Sequence, residues 1–355
     1  MGPALRWYEE NGRDLPWRRT KDPYRIWVSE IMLQQTRVEA VTEYYRRFTE
    51  ALPDIHHLAT CEDDRLLKLW EGLGYYNRVR NMKSAAQEME KHYGGKMPAD
   101  YEKILTLPGI GAYTAGAIAS IAYDLPAPAV DGNVLRILCR VTKDDRDIKK
   151  ESTKKLLTNL LWNVMPKTGS GAFNQAMMDI GAILCLPKGS PRCTDCPWER
   201  LCGAHLCDQT DRYPYRSPAK ERRLEKRTVF LIMDGDRILI EKRPKKGLLA
   251  GLYQFPNREG YFKKNEAIDL VRSMGLDPLK IEVLPDAKHV FSHIEWQMKG
   301  YLIRVSDLGG YGQTRDALLV KKSRIESDYA IPSAFEVYAK EVNLMRGKQT
   351  INADD

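Results

Sequence analysis

Leu107-Pro108-Gly109-Ile110-Gly111-Ala112-Tyr113-Thr114-Ala115-Gly116-Ala117-Ile118 is the stretch whose reading decides how the N-terminal part of the chain folds. A helix over Tyr101–Leu107 must stop at Pro108-Gly109, because proline has no amide to donate and glycine accepts the left-handed backbone of a helix end. The small-residue run Ala112–Tyr123 then restarts a helix that a neighbour can approach closely. Two helices joined by a short glycine turn are expected.

The same reading extends outward. From Arg6 to about Cys202 the pattern is helical, and in Asp63–Tyr93 the apolar Leu66, Leu67, Leu69 and Trp70 recur at helical spacing until Gly72-Leu73-Gly74-Tyr75-Tyr76 breaks them. Asp211–Arg227, with Pro214, Pro218 and the charged run Lys220–Arg223, lacks a sustained apolar face and reads as a connector. Beyond it, Thr228–Met233, the turn Asp234-Gly235-Asp236 and Arg237–Ile240 predict a β-hairpin, and Ala267–Met274 a helix. At 355 residues two domains are expected. The boundaries are a helical domain over 1–210, a linker over 211–227, an α+β domain over 228–347 and a disordered polar tail over 348–355.

Lys and Arg number 56 against 48 Asp and Glu, a net charge of +8 that favours a polyanionic partner through counterion release. The N-terminal residues lack the cationic cap and apolar run of a signal peptide, and no later run is long enough for a membrane span. A soluble, cytoplasmic protein with no membrane partner is the expectation.

Four of the seven cysteines, Cys185, Cys193, Cys196 and Cys202, crowd into one segment spaced C(x7)C(x2)C(x5)C. In a reducing compartment such clustering points to a metal centre, and thiolates suit zinc and iron-sulfur clusters alike. Cys207 offers an alternative C(x2)C(x5)C(x4)C set, Cys193, Cys196, Cys202 and Cys207, and His205 could also compete as a ligand. Cys61 and Cys139 lie in helical patterns and are expected in the core.

The opening stretch also matches a helix-hairpin-helix signature. In that motif Gly109 and Gly111 let backbone amides approach a phosphate beside a helix N-terminus, which positions a duplex without reading its sequence. An ordinary turn between helices uses glycine too. Past the hairpin, Asp131 stands alone in Val130-Asp131-Gly132-Asn133-Val134, where an acid is either a helix cap or a functional carboxylate. Glu30 lies in Trp27–Thr36 among apolar residues that should raise its pKa and keep it available as a proton donor.

Taken together, Trp17-Arg18, SEIMLQQTRVE (29–39), EGLGYYNRVRN (71–81), LPGIGAYTAGAI (107–118), VDGNV (130–134), FNQAMMDIGA (173–182) and the cysteine loop resemble the adenine DNA glycosylases of the MutY type. The likeness runs over nearly the whole chain. It implies a mainly α helix-hairpin-helix glycosylase domain with an iron-sulfur cluster loop, plus an α+β Nudix-like C-terminal domain. It also implies a 4Fe-4S cluster on Cys185, Cys193, Cys196 and Cys202, although the first gap is one residue longer than the family spacing. Lys246–Pro256 is similar to that family's Nudix-like domain, and Phe291-Ser292-His293 resembles its 8-oxoguanine-sensing loop. Hydrolytic Nudix domains need a cluster of metal-binding acids, and Ala267–Gly275 has none, so this domain is expected to bind rather than hydrolyse.

The resemblance implies roles for individual residues. Glu30 is the general acid on adenine and Asp131 stabilises the oxocarbenium ion, supported by Tyr113 and Asn133. Arg13, Trp17, Arg18, Leu33, Val38 and Gln175 line the adenine pocket. Tyr75 intercalates beside the lesion while Gln35 and Thr36 contact the 8-oxoguanine strand. Strand-cutting relatives carry a lysine where this chain has Tyr113, so base removal without strand cutting is expected. The implied partner is duplex DNA with adenine opposite 8-oxoguanine, bound by a monomer. A non-catalytic DNA-binding protein and a nucleotide pyrophosphatase are the competing readings.

Overall fold

A computed structural model describes residues 2–218, 221–307 and 317–345. The expected disordered tail over 348–355 lies outside them. Helices run in the order α1 (Gly2–Asn11), α2 (Pro23–Leu33), α3 (Val38–Ala51), α4 (Ile55–Thr60), α5 (Asp63–Leu69), α6 (Asn77–Tyr93), α7 (Tyr101–Leu105), α8 (Ala112–Tyr123), α9 (Gly132–Thr142), α10 (Glu151–Trp162), α11 (Ser170–Asp179) and α12 (Gly203–Leu206). Then come strands β1 (Arg223–Asp234), β2 (Arg237–Lys242), β3 (Tyr253–Gln254) and β4 (Asn257–Glu259), helix α13 (Lys264–Ser273), and strands β5 (Pro278–Val290), β6 (Ile294–Val305) and β7 (Ala317–Lys321). Helices α14 (Lys322–Asp328) and α15 (Glu336–Glu341) follow. The chain forms two compact units, Met1–Thr60 with Arg80–Pro218 and Cys61–Val79 with Ala219–Asp355.

In the first unit α2 is buried on nearly every side: Tyr24, Ile26, Trp27, Val28, Ser29, Glu30, Ile31 and Met32 are all inaccessible. Asp22 caps it by accepting from the Tyr24 amide at 2.9 Å, and Pro23 presets its first turn. Helix α2 packs on α8, whose small residues permit close approach. At Gly116 a Cβ would fall 2.0 Å from the Pro128 carbonyl oxygen, so only glycine lets the segment leading to Asp131 lie against α8. Fully buried Asn174 fastens the same segment. Its Nδ2 donates to Ser120 Oγ and the Ala127 carbonyl, each at 2.8 Å, and its Oδ1 accepts from the Ala129 amide at 3.1 Å.

The second unit is built on a seven-stranded sheet of order β3-β2-β1-β6-β5, with β4 added to β1 and β7 to β2. Strands β1 and β6 are parallel and the other pairs antiparallel. Apolar side chains alternate to its two faces. Val229, Leu231 and Met233 join Trp296, Phe335 and Tyr338 on one side, while Phe230 and Ile232 join Ala267 and Val271 of α13 on the other.

Two expected boundaries need correction. Strand β1 starts at Arg223, inside the predicted connector, and pairs residue by residue with β6 from Ile294 onward. Backbone pairing holds Arg223–Arg227 in the sheet, so the charged side chains never needed the apolar face sought in the sequence. Cys61–Val79 packs with the second unit rather than the helical one. Its apolar residues give the helical pattern but not the partner, which polar contacts such as Lys68 with the Ile325 and Tyr329 carbonyls help to fix.

Candidate active site

Buried Glu30 lines a cavity of about 240 Å³ together with Arg13, Leu15, Trp17, Arg18, Ile26, Ser29, Leu33, Thr36, Arg37, Val38, Tyr113, Ile121, Asp131, Asn133, Gln175, Met178 and Ala182. Tyr113, in the first turn of α8, donates its hydroxyl to Glu30 Oε2 at 2.7 Å. Burial pushes the Glu30 carboxyl up to about 7, against the Tyr113 hydrogen bond and the Arg18 charge, which lower it, and with the Asp131 charge, which raises it. The Tyr113 hydroxyl is raised well above its usual value by burial and by the two carboxylates.

Asp131 is a helix cap whose carboxylate also lines the cavity. It is the N-cap of α9, with Oδ1 accepting from the Asn133 amide at 2.9 Å and the Val134 amide at 2.8 Å, and Oδ2 accepts from Asn133 Nδ2 at 2.9 Å. It also lines the cavity with Glu30, close enough for its charge to act on that carboxyl. The cap fixes the carboxylate's direction, and Asn133 holds its second oxygen.

Behind the cavity, fully buried Asp179 accepts from Arg18 Nη1 at 2.6 Å, Arg18 Nη2 at 2.7 Å, Arg13 Nε at 2.8 Å and the Arg13 amide at 3.0 Å. Burial opposes its charge, but the Arg18 hydrogen bond and charge, with Arg13, hold the carboxyl below its ordinary range. The bidentate pair orients Arg18, and the Arg18 charge in turn acts on Glu30. Sequence reasoning named neither Asp179 nor Asn174. A usable signal existed for Asp179: two arginines expected at one buried pocket require an acid.

Of the residues the resemblance placed around the adenine, Arg13, Trp17, Arg18, Leu33, Val38 and Gln175 all line the cavity, as does Thr36. Gln35 does not; it is exposed, with a left-handed backbone at φ 60°. Gly109 has φ +74°, and a Cβ there would meet Asn81 Cβ at 2.4 Å, whereas Gly111, the exposed N-cap of α8, faces open space.

In the second unit Tyr75 is exposed, with φ 46°, and its hydroxyl shares a 3.3 Å hydrogen bond with Ser292 Oγ. Ser292 belongs to the tight turn joining β5 to β6, closed by the Phe291 amide donating to the Ile294 carbonyl at 2.8 Å. Phe291 packs edge-on against buried Trp296 at 5.0 Å, and Ser292 and His293 are exposed. The chain therefore brings Tyr75 and Phe291-Ser292-His293 together from opposite ends of the sequence.

Cys185, at the end of a π-helical turn after α11, and Cys193, Cys196 and Cys202, on the loop before α12, line one cavity of about 30 Å³ with Arg140 and His205. Arg140 Nη1 donates to Cys185 Sγ at 3.2 Å. Burial and the neighbouring thiols raise Cys193, and burial first of all pushes Cys196 up to about 11. Cys207 is exposed and away from this cavity, with Lys143 Nζ 3.4 Å from its sulfur. Among the described residues no three His, Cys, Asp or Glu side chains are placed to hold a single metal ion. Cys61 and Cys139 are buried in the core.

No helix among the described residues is long and apolar enough to cross a membrane. The family model for HhH-GPD superfamily base excision DNA repair proteins matches residues 28–163, and that for the NUDIX domain matches residues 228–341. The adenine DNA glycosylase of Buchnera aphidicola subsp. Acyrthosiphon pisum is 36% identical over 303 residues, 85% of each chain. The adenine DNA glycosylase of Mus musculus is 34% identical over 359 residues, covering 84% of this chain and 69% of its own. A solved thermostable thymine-DNA glycosylase, 28% identical, superposes with a TM-score of 0.53 over 58% of this chain and 94% of its own. On sequence, domain order and the helical fold, the chain belongs to the adenine DNA glycosylase family.

Proposed function

We propose that this protein is a monofunctional glycosylase that hydrolyses the N-glycosidic bond of adenine opposite 8-oxoguanine, or opposite guanine, in duplex DNA, acting as a monomer. The observation that carries the reading is one cavity lined by both buried Glu30, whose carboxyl is pushed up to about 7, and the capped carboxylate of Asp131.

Adenine must leave the base stack to reach such a cavity, and unstacking costs a few kcal/mol that contacts elsewhere must offset. The hairpin amides at Gly109–Gly111 are suited to phosphate, and Tyr75 to stacking beside the partner base. Protonated Glu30 gives its proton to a ring nitrogen of adenine as the bond to the sugar breaks, and the bonding electrons leave with the base. The positive charge left on the sugar faces the Asp131 carboxylate. Water adds its oxygen to the sugar carbon and its proton returns to the carboxylate pair, with Asn133 positioned to hold the water. The products are free adenine and an abasic site. Position 113 offers a tyrosine where a Schiff base would need an amine, which supports base removal alone.

Four thiols lining one cavity are a donor set suited to the 4Fe-4S cluster that the family resemblance implies. Cys185, Cys193, Cys196 and Cys202 would hold it, and when bound it supplies four covalent tethers between α11 and the loop before α12. Arg140 donates to Cys185 Sγ and to the carbonyls of Leu186, Thr210 and Tyr213, so it braces that loop from within.

The test is a glycosylase assay on duplexes with adenine opposite 8-oxoguanine, guanine and thymine, with borohydride trapping alongside. Excision from the first two only, without covalent capture, is expected. Excision from none of them, or efficient capture through a lysine, would overturn the reading.

A further inference from the structure

Lys68 and Glu71 form an ion pair whose side chains are only 4% and 2% exposed, an unusual placement for a lysine on a short helix. The Lys68 ammonium has three protons, and each finds an acceptor: Glu71 Oε2 at 2.7 Å, the Tyr329 carbonyl at 3.2 Å and the Ile325 carbonyl at 3.3 Å. Glu71 Oε1 accepts from the Ile331 amide at 2.8 Å. Helix α5 is thus clasped to α14 and the segment after it by a fully paired buried charge. Asp64, one turn earlier, adds Lys242 Nζ at 2.7 Å and the Tyr253 hydroxyl at 3.0 Å, while the Tyr253 ring meets that of Tyr329 edge-on at 4.7 Å.

The clasp ends where the turn carrying Tyr75 begins. Gly72 and Gly74 take positive φ, and Tyr75 takes φ 46°, which a bulky residue adopts only when its surroundings impose it. The imposing contacts come from both ends of the turn: Trp70 Nε1 donates to the Gly74 carbonyl at 3.1 Å, and Arg78 Nη2 donates to the Leu73 carbonyl at 3.0 Å and the Gly74 carbonyl at 3.1 Å. The Arg78 guanidinium lies 5.3 Å from the Trp70 ring and 5.8 Å from the Tyr75 ring.

We infer that Lys68 and Glu71 are positioning residues for recognition of the base opposite the adenine. By fixing α5 to residues 325–331 they hold the Tyr75 turn against Ser292, so that the aromatic ring and the Phe291–His293 turn meet the partner base as one preset surface. This rests on the proposed role of Tyr75 and Ser292 in reading 8-oxoguanine. A purely structural pair would affect all duplexes alike; this pair affects the duplex whose partner base is read.

The experiment uses the full chain with two variants, Lys68→Met and the double variant Lys68→Met/Glu71→Met. The double variant leaves no unpaired buried charge, so it folds even where the single one does not. Single-turnover excision is measured for adenine opposite 8-oxoguanine and opposite guanine, and amide hydrogen exchange is followed without DNA. In the double variant the ratio of the two rates falls about tenfold, through the 8-oxoguanine duplex alone, and exchange accelerates together over 72–76 and 325–331. An unchanged ratio, or faster exchange confined to 325–331, overturns the inference. A wild-type protein that excises adenine without preferring 8-oxoguanine overturns instead the reading on which it rests, and coupled exchange of the two segments still decides whether the clasp exists.

Discussion

The Tyr113 hydroxyl donates to Glu30 Oε2 at 2.7 Å, joining residues 83 positions apart on the two helices that frame the cavity. That hydrogen bond favours the ionised carboxylate and so works against burial, which favours the acid. The balance, at about 7, leaves Glu30 able to give a proton at neutral pH and to take one back.

A pH dependence follows from that balance. With Glu30 as the proposed proton donor, its acid form is the one that acts, so the single-turnover excision rate should fall as pH rises past about 7. Tyr113→Phe removes an interaction that lowers the carboxyl's pKa, and should move this alkaline limb to higher pH. Rate profiles of the two proteins check the direction; a limb that stayed in place or moved down would contradict it.

The same group sets a pH dependence of stability. Glu30 has an ordinary value of 4.5 when unfolded and about 7 when folded, so the folded state binds its proton more tightly. Its stabilising contribution is complete below the unfolded value and is lost as pH rises through the folded one, by roughly 3 kcal/mol. Glu30→Gln, which cannot ionise, should therefore gain melting temperature over wild type at pH 8 and lose that advantage near pH 5. Asp179 runs the other way, its contribution present above the unfolded value and lost in acid.

The two hairpin glycines should separate folding from DNA binding. Gly109→Ala places a Cβ 2.4 Å from Asn81 Cβ on a left-handed backbone, and should cost about 1 kcal/mol or more of stability. Gly111→Ala meets nothing within 4 Å and keeps ordinary backbone angles, so the fold should tolerate it. If its amide approaches a phosphate closely, DNA affinity falls while the melting temperature holds. Calorimetry with a binding titration separates the cases, and unchanged affinity would remove Gly111 from the interface.

Iron content distinguishes the cysteine sets. Cys185→Ala should lose most of the iron and visible absorption of anaerobically prepared protein, whereas Cys207→Ala should keep both, since Cys207 is not among the four cysteines that line the cavity. The reverse pattern would assign the ligands to Cys193, Cys196, Cys202 and Cys207 instead.

Much of this molecule was legible in its sequence where apolar periodicity and turn chemistry speak. Helix α8 occupies the predicted Ala112–Tyr123, and the turn after Asp234 makes the predicted hairpin. What stayed hidden was polar and long-range. Nothing in the apolar pattern marks Lys68 and Glu71 for burial, and only the fold supplies the carbonyls of Ile325 and Tyr329 and the amide of Ile331 that permit it. Asp179 and Asn174 sat within a recognised motif, yet their partners lie on α8 and near the N-terminus. Asp131 posed a choice between cap and catalyst that local sequence frames as exclusive, and the geometry shows that a capping carboxylate can line the cavity as well.

The most direct measurement is single-turnover excision of adenine opposite 8-oxoguanine by wild type and Glu30→Gln, with duplex affinity determined on the same preparations. A loss of about 10²- to 10⁴-fold in rate with affinity held within a few-fold is the predicted result. Excision by the variant at the wild-type rate would contradict the assignment of Glu30 as the proton donor.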